Sequence, residues 1–250
     1  MKNKKILEWT LYAKLNEYKA QIKSAITIIN RALSITDKFA ICWSGGKDST
    51  VMTHLIKKLF AECPIIVQFD DCDWPEKKPY IYRICKQMQW EINEATPDFS
   101  IWEEAIKCKI GIEDLCSKNN RLTKYGFLKP LNKAREKLNC KGSFIGLRTE
   151  ESNRRKRNQK YNGNIYTLKS GEIICTPIVH LNAKAVFAYH VVNDIEINPC
   201  YFNNAFRSPE EIRLSWALPL LYGINNGDPE HMRKYYPEYF NKFRELCIYQ

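Results

Sequence analysis

From residue 42 to residue 50 the chain reads CWSGGKDST, directly after the apolar run FAI. Adjacent glycines, a lysine, an aspartate and hydroxyl residues in that order can hold an anion. Gly45 and Gly46 open the backbone to a ligand. The amides of Lys47, Asp48 and Ser49 would point outward from a helix N-terminus, and Ser44, Ser49 and Thr50 add hydroxyl donors. The bland alternative is a tight strand-to-helix turn begun by Asp48 or Ser49. The nucleoside triphosphatase pattern G-x-x-x-x-G-K-[ST] is not met, because the glycines are adjacent and Asp48 follows the lysine.

Two further stretches carry chemistry. In FDDCDWPE (69–76), Asp70 and Asp71 could receive a ribose hydroxyl or help hold Mg2+, which favours carboxylate and phosphate oxygens, with Asp70 the candidate on the nucleotide and Asp71, together with Asp48, the candidate metal pair. The alternative for these acids is turn chemistry. In GLRTEESNRRKR (146–157), Gly146 permits close backbone approach and Arg148 could reach a nucleotide. Arg155 can clamp phosphate, with Glu151 orienting it. Arg154, Arg155, Lys156 and Arg157 form a candidate nucleic-acid contact, or else a solvated loop.

These residues need a scaffold that gathers strand ends. KFAICWS, PIIVQFD, WEINEA and GSFIGLR read as buried strands, with EIICTPI as an edge or fifth strand. Helical spacing fills KDSTVMTHLIKKLFAE, the stretch around KKPYIYRICKQMQ, and NAKAVFAYHVVNDI, which Asn182 is placed to cap. The alternation predicts an α/β fold, an open, mostly parallel twisted sheet with helices on both faces. A helix over 5–35 precedes it. Residues 98–141 read as mostly helical and increasingly basic, and PEEIRLSWALPLLYGI and PEYFNKFRELCIY follow as helices. The predicted organisation is an N-terminal helical segment (1–35), one α/β domain (36–201) and a C-terminal helical extension (202–250).

The 250 residues carry a formal charge of +11. Residues 118–160 hold fourteen Lys and Arg against three Glu, so this segment accounts for the whole excess and the rest balances. Such a concentration suits phosphates, on a nucleotide or a nucleic-acid backbone. Tyr125, Phe127, Tyr161 and Tyr166 could stack on bases, although packing is their commoner use. Ten cysteines show no C-x-x-C pair, which speaks against a disulfide framework or a recognisable metal cassette. No run approaches the ~20 apolar residues of a membrane span. A cytoplasmic protein without membrane attachment is expected.

The loop SGGKDS resembles that of the PP-loop ATP pyrophosphatases. FDDCDWPE, GLRTEESNRRKR and TPIVHLNAKAVFAYHVVNDIEINPCY (176–201) are similar, in the same order, to elements of their phosphoadenylyl-sulfate reductase branch. The likeness covers about 36–201. It implies an adenine nucleotide alpha hydrolase-like fold, ATP and Mg2+ as cofactors, and Ser44–Thr50, Asp70, Gly146 and Arg148 as the ATP site. Attack at the α-phosphorus would release pyrophosphate, with Lys47, Asp48, Arg148 and Arg155 as catalytic residues. The reductases of this branch carry a cysteine in ECGxH. This chain shows no such signature, and its tail holds Cys200 and Cys247. The branch also contains components of DNA phosphorothioation systems, implying DNA as substrate and a cysteine desulfurase or another modification-system protein as sulfur-donating partner. The alternatives are a sulfonucleotide reductase whose thiol comes from Cys247 or a partner, and a non-catalytic nucleotide-sensing or DNA-binding subunit. Cys108 and Cys116 lie nearest the basic segment and read as inert buried thiols.

Overall fold

The computed structural model describes residues 2–107, 122–202, 207–212 and 228–247. Its centre is a six-stranded sheet in the order β3-β2-β1-β4-β6-β5. The strands are β1 (Phe39–Cys42), β2 (Ile65–Gln68), β3 (Ile92–Ala95), β4 (Gly142–Ile145), β5 (Ile165–Thr167) and β6 (Ile173–Cys175). Strands β3, β2, β1, β4 and β6 pair in parallel, with Ile41 beside Ile65 and Phe144. β5 runs antiparallel to β6 and forms the edge, so EIICTPI supplies an interior strand. The short β5 lies beyond the basic stretch, where only Ile165, Tyr166 and Thr167 signal it.

Side-chain alternation explains the helices on both faces. Phe39, Ile41, Ile65, Val67 and Phe144 join the large core cluster with Val51, Met52 and Ile56 of α3 (Lys47–Leu59) and Ile81 and Ile84 of α4 (Lys77–Met88). Ala40, Ile66 and Ala95 face the other way, onto Leu131, Ala134 and Leu138 at α6 (Lys129–Lys137). Between α4 and α6 come α5 (Ile101–Lys107) and a π-helical turn, Leu122–Leu128. After β4 come a 3-10 turn, Thr149–Glu151, and α7 (Asn153–Asn162), then α8 (Ala183–Val192) after β6. Asn182 caps α8 by accepting from the Ala185 amide at 2.8 Å. The run Arg154–Arg157 is helical rather than loop, capped by Ser152.

The helix expected over 5–35 is two, α1 (Lys2–Tyr12) and α2 (Asn16–Leu33), because extended Leu15 breaks the run. The break serves two partners. Trp9 of α1 stacks on Phe187 of α8 with ring centroids 4.3 Å apart. The α2 stripe Tyr18, Ala25, Ile28, Ile29 and Ala32 buries separately. At the other end α9 (Asp228–Tyr235) and α10 (Pro237–Cys247) add Met232 and Phe243 to a second cluster with Cys72, Ile101 and Trp102. α9 had no sequence expectation. Most of the PEEIRLSWALPLLYGI helix, together with Cys108, Cys116 and the Cys247 side chain, falls outside the described residues.

Candidate nucleotide-binding site

Adjacent strands β1 and β4 send their connections to opposite sides of the sheet, β1 towards β2 and β4 towards β6. The crevice outside such a reversal is where open α/β sheets take ligands. Ser44–Thr50 and Gly146–Arg148 both open there. Gly45 has φ +74°, a left-handed conformation that glycine adopts freely, and a Cβ there would lie 3.0 Å from Ile81 carbons. A Cβ on Gly146 would lie 2.9 Å from the Ser49 Cα, so the end of β4 abuts the first turn of α3. Ser44 and Ser49 hydroxyl oxygens are 2.9 Å apart at the rim. The Asp48 and Ser49 amides begin α3, where no intrahelical carbonyl is available to them.

Several expected ligand groups are committed to the protein instead. Thr50 is fully buried; its hydroxyl donates to the Gly46 carbonyl at 2.9 Å and accepts from Trp43 Nε1 at 2.9 Å. The Lys47 amide donates to the Tyr201 hydroxyl at 2.9 Å. Its ammonium points inward: Lys47 is 1% exposed, and Nζ donates to the Ile212 carbonyl at 2.6 Å and lies 4.9 Å from the Tyr201 ring centroid. An aromatic face and a carbonyl replace the water an ammonium would otherwise keep. His190, also buried, places Nε2 3.0 Å from the Lys47 carbonyl oxygen. Burial pushes the His190 pKa down.

Asp48 lies between two cations, with Oδ1 2.5 Å from Arg148 Nε and Oδ2 3.4 Å from Lys47 Nζ. Burial by itself would raise its carboxyl; Lys47 and Arg148 outweigh burial and hold it below the usual carboxylate range. Arg148 is 2% exposed and also donates to Glu150, whose Oε2 accepts from the Ala183 amide at 2.8 Å. Arg148 therefore ties the exit of β4 to α3 and to the start of α8. Arg155 pairs with Glu151, one turn back. Arg154, Lys156 and Arg157 are exposed on α7, which buries none of its residues.

The acids after β2 behave as turn and cap residues. Asp70 Oδ1 accepts from the Cys72 amide at 2.9 Å, a local Asx turn. Asp71 Oδ2 lies 2.5 Å from the Ser100 hydroxyl and Oδ1 accepts from the Ile101 amide at 2.9 Å, capping α5. Among the described residues the one group of three metal-capable side chains is Asp70, Asp71 and Cys72, without Asp48. Burial pushes the Cys72 thiol strongly up, against a thiolate ligand. With Asp48 held by two cations and Asp71 spent on a cap, the expected Mg2+ pair does not fit this donor set. Cys42, beside the loop, is pushed up to about 11 by burial, an inert thiol. Among the described residues no helix is long and apolar enough to cross a membrane.

Sequence reasoning missed Tyr201, His190 and Glu150 as parts of the site. Tyr201 and His190 lie 154 and 143 positions from Lys47, and no spacing rule links them to it. The signal was the resemblance of 176–201, which contains AYH and NPCY, to an element of the phosphoadenylyl-sulfate reductase branch, and it named no role for either residue.

Residues 38–213 match the phosphoadenosine phosphosulfate reductase domain. Similar curated proteins include phosphoadenosine 5'-phosphosulfate reductase of Vibrio vulnificus strain CMCP6, 28% identical over 166 residues, or 65% of this chain and 61% of that protein. Another is the Klebsiella pneumoniae strain 342 protein of the same description, 23% identical over 193 residues, 76% of this chain and 74% of its own. The chain thus spans 61% of the length of the Vibrio relatives it matches. Among solved structures, phosphoadenylyl-sulfate reductase from Candida auris aligns with TM-score 0.54 and 18% identity, covering 78% of this chain and 94% of that one. Candida glabrata FMN adenylyltransferase in complex with ATP aligns with TM-score 0.57 and 12% identity, covering 83% and 69%. At these identities the structural likeness speaks for the fold.

Proposed function

The chain belongs to the phosphoadenosine phosphosulfate reductase domain family, and from that premise we propose that it binds ATP in the switch-point crevice and cleaves it to AMP and pyrophosphate. An acceptor oxygen forms a bond to the α-phosphorus and the α–β bridging oxygen leaves with pyrophosphate, so the acceptor is adenylated and open to replacement by sulfur. The Ser44–Ser49 rim and the first amides of α3 receive phosphate. Arg148, fixed by Asp48 and Glu150, holds the end of β4 against the first turn of α3, so the amides facing the phosphate need not reorganise as charge develops. The inward Lys47 acts here as a fixed charge behind the loop.

The observation that carries the acceptor's class is contiguity. Directly after the Arg148–Glu151 turn comes α7, with Arg154, Arg155, Lys156, Arg157 and Lys160, no acid and no buried residue. A small nucleotide does not need such a helix; a polyanion does. The proposed acceptor is a nucleic-acid backbone, as in DNA phosphorothioation, with sulfur delivered by a partner protein. Incubation with α-labelled ATP should yield labelled AMP, more with DNA and the sulfur-donating protein present. ADP as sole product would overturn the reading. Sulfonucleotide reduction is favoured by the curated relatives, and thiol-dependent sulfite release from phosphoadenylyl sulfate, without AMP formation from ATP, would establish it instead.

A further inference from the structure

The carboxyl end of β3 opens onto a cavity of about 340 Å3 that the nucleotide loop does not touch. Thr96, Asp98 and Phe99, which follow β3, line it together with Tyr125, Lys129 and Lys133. Lys129 and Lys133 are one turn apart on α6, both exposed, while Leu131 and Ala134 hold that helix to the sheet. Tyr125 is 40% exposed, with Lys124 and Lys129 ammonium groups 5.2 and 5.7 Å from its ring centroid. Phe127 and Leu128 beside it are also exposed.

This wall is fixed in place. Gln68, the last residue of β2, donates from Nε2 to the Gly126 carbonyl at 2.7 Å, and a Cβ on Gly126 would run into Ile101. The π-helical turn is therefore pressed onto the carboxyl end of β2 with Tyr125 and Phe127 outward, and π-helical turns recur at functional sites.

We infer that this cleft docks single-stranded nucleic acid, one base lying against Tyr125 and Phe99 and the flanking phosphates on Lys124, Lys129 and Lys133. The inference rests on the reading that the acceptor is a nucleic acid, and it names where the strand is held. Aromatic faces interleaved with cations suit a strand whose bases are free to stack. A duplex hides those faces within its own stack. Asp98 would repel phosphate and offers an acceptor to a base N–H, which sets the base, not the backbone, on its side of the cavity.

Fluorescence anisotropy with a short labelled single strand, with its duplex as comparison, tests the assignment. The full chain should bind the single strand more tightly than the duplex. Tyr125→Ala should weaken binding on the order of tenfold. Lys129→Gln with Lys133→Gln should reduce the slope of log affinity against log salt by roughly 1 to 1.5. All variants should keep the wild-type melting temperature and ATP affinity. No binding of either probe by the wild-type chain overturns both this inference and the nucleic-acid acceptor. Binding that survives the cleft substitutions but falls on Arg154→Gln with Arg157→Gln overturns the cleft alone, as does equal affinity for duplex.

Discussion

Arg148 Nε and Asp48 Oδ1 meet at 2.5 Å across a hundred residues of sequence, and this bond joins the exits of two neighbouring strands. Both side chains are nearly out of solvent, so neither charge has water to fall back on. Removing one partner of such a pair costs on the order of 3–5 kcal/mol. Arg148→Ala should lower the urea midpoint by a corresponding amount and abolish nucleotide turnover. A midpoint equal to wild type would show that the pair does not hold the site together.

The same pair sets an acid limit. The Asp48 carboxyl titrates lower folded than unfolded, so its contribution is fully present above the unfolded value and is lost as pH falls through the folded one. Asp48→Asn should flatten the stability profile below about pH 4 relative to wild type. Parallel acid titrations followed by circular dichroism measure the difference.

His54 gives a second pH dependence. Its Nδ1 lies 2.8 Å from the Tyr189 hydroxyl, and burial, with Lys58 and His190 adding to it, lowers its pKa to about 4. The unfolded chain binds a proton near pH 6.5, the folded protein only near pH 4, so stability declines as pH falls between those values. His54→Gln should reduce that decline, measurable as a smaller shift of melting temperature between pH 7 and pH 5, with His190 and His231, whose pKa values burial also lowers, supplying the remainder.

Gly146→Ala tests the contact between β4 and α3. The added methyl meets Ser49 backbone at 2.9 Å, which has no rotamer to yield with. Overpacking of this kind costs about 1–3 kcal/mol. The shift falls on the first turn of α3, so ATP affinity should drop more than global stability does, as isothermal titration and thermal melts would separate. An unchanged affinity would place the phosphate elsewhere.

Neutralising α7 should do the opposite. Arg154→Gln, Lys156→Gln and Arg157→Gln together touch no core, so the melting temperature should hold within the small range of surface changes. Affinity for a polyanion should fall, and with it the salt dependence. Nucleotide turnover without nucleic acid should be unaffected.

The parallel sheet was legible because β1, β2 and β4 are buried on both faces and read as unbroken apolar runs. β5 was not, because two half-buried residues and one exposed one at an edge carry no such signal. The loop Ser44–Ser49 was legible from residue types that strand-to-helix turns rarely need together. The direction of Lys47 was not: the groups that draw its ammonium inward, Tyr201, Phe187 and Ile212, lie far along the chain. Asp71 resembled a metal ligand and acts as a cap because its partners, Ser100 and Ile101, begin a helix beyond the next strand. Local chemistry was visible in sequence, whereas long-range partners needed the fold.

Lys47 is gripped at both ends of its backbone, the amide by Tyr201 and the carbonyl by His190. On the ribosome the loop emerges long before either partner exists. A nascent chain that stops short of residue 190 has made SGGKDS but lacks the two clasps that shape it. The emerging polypeptide can therefore shape the Ser44–Ser49 loop only after all six strands have been synthesised, and a chain truncated short of residue 190 should hold that loop without either clasp.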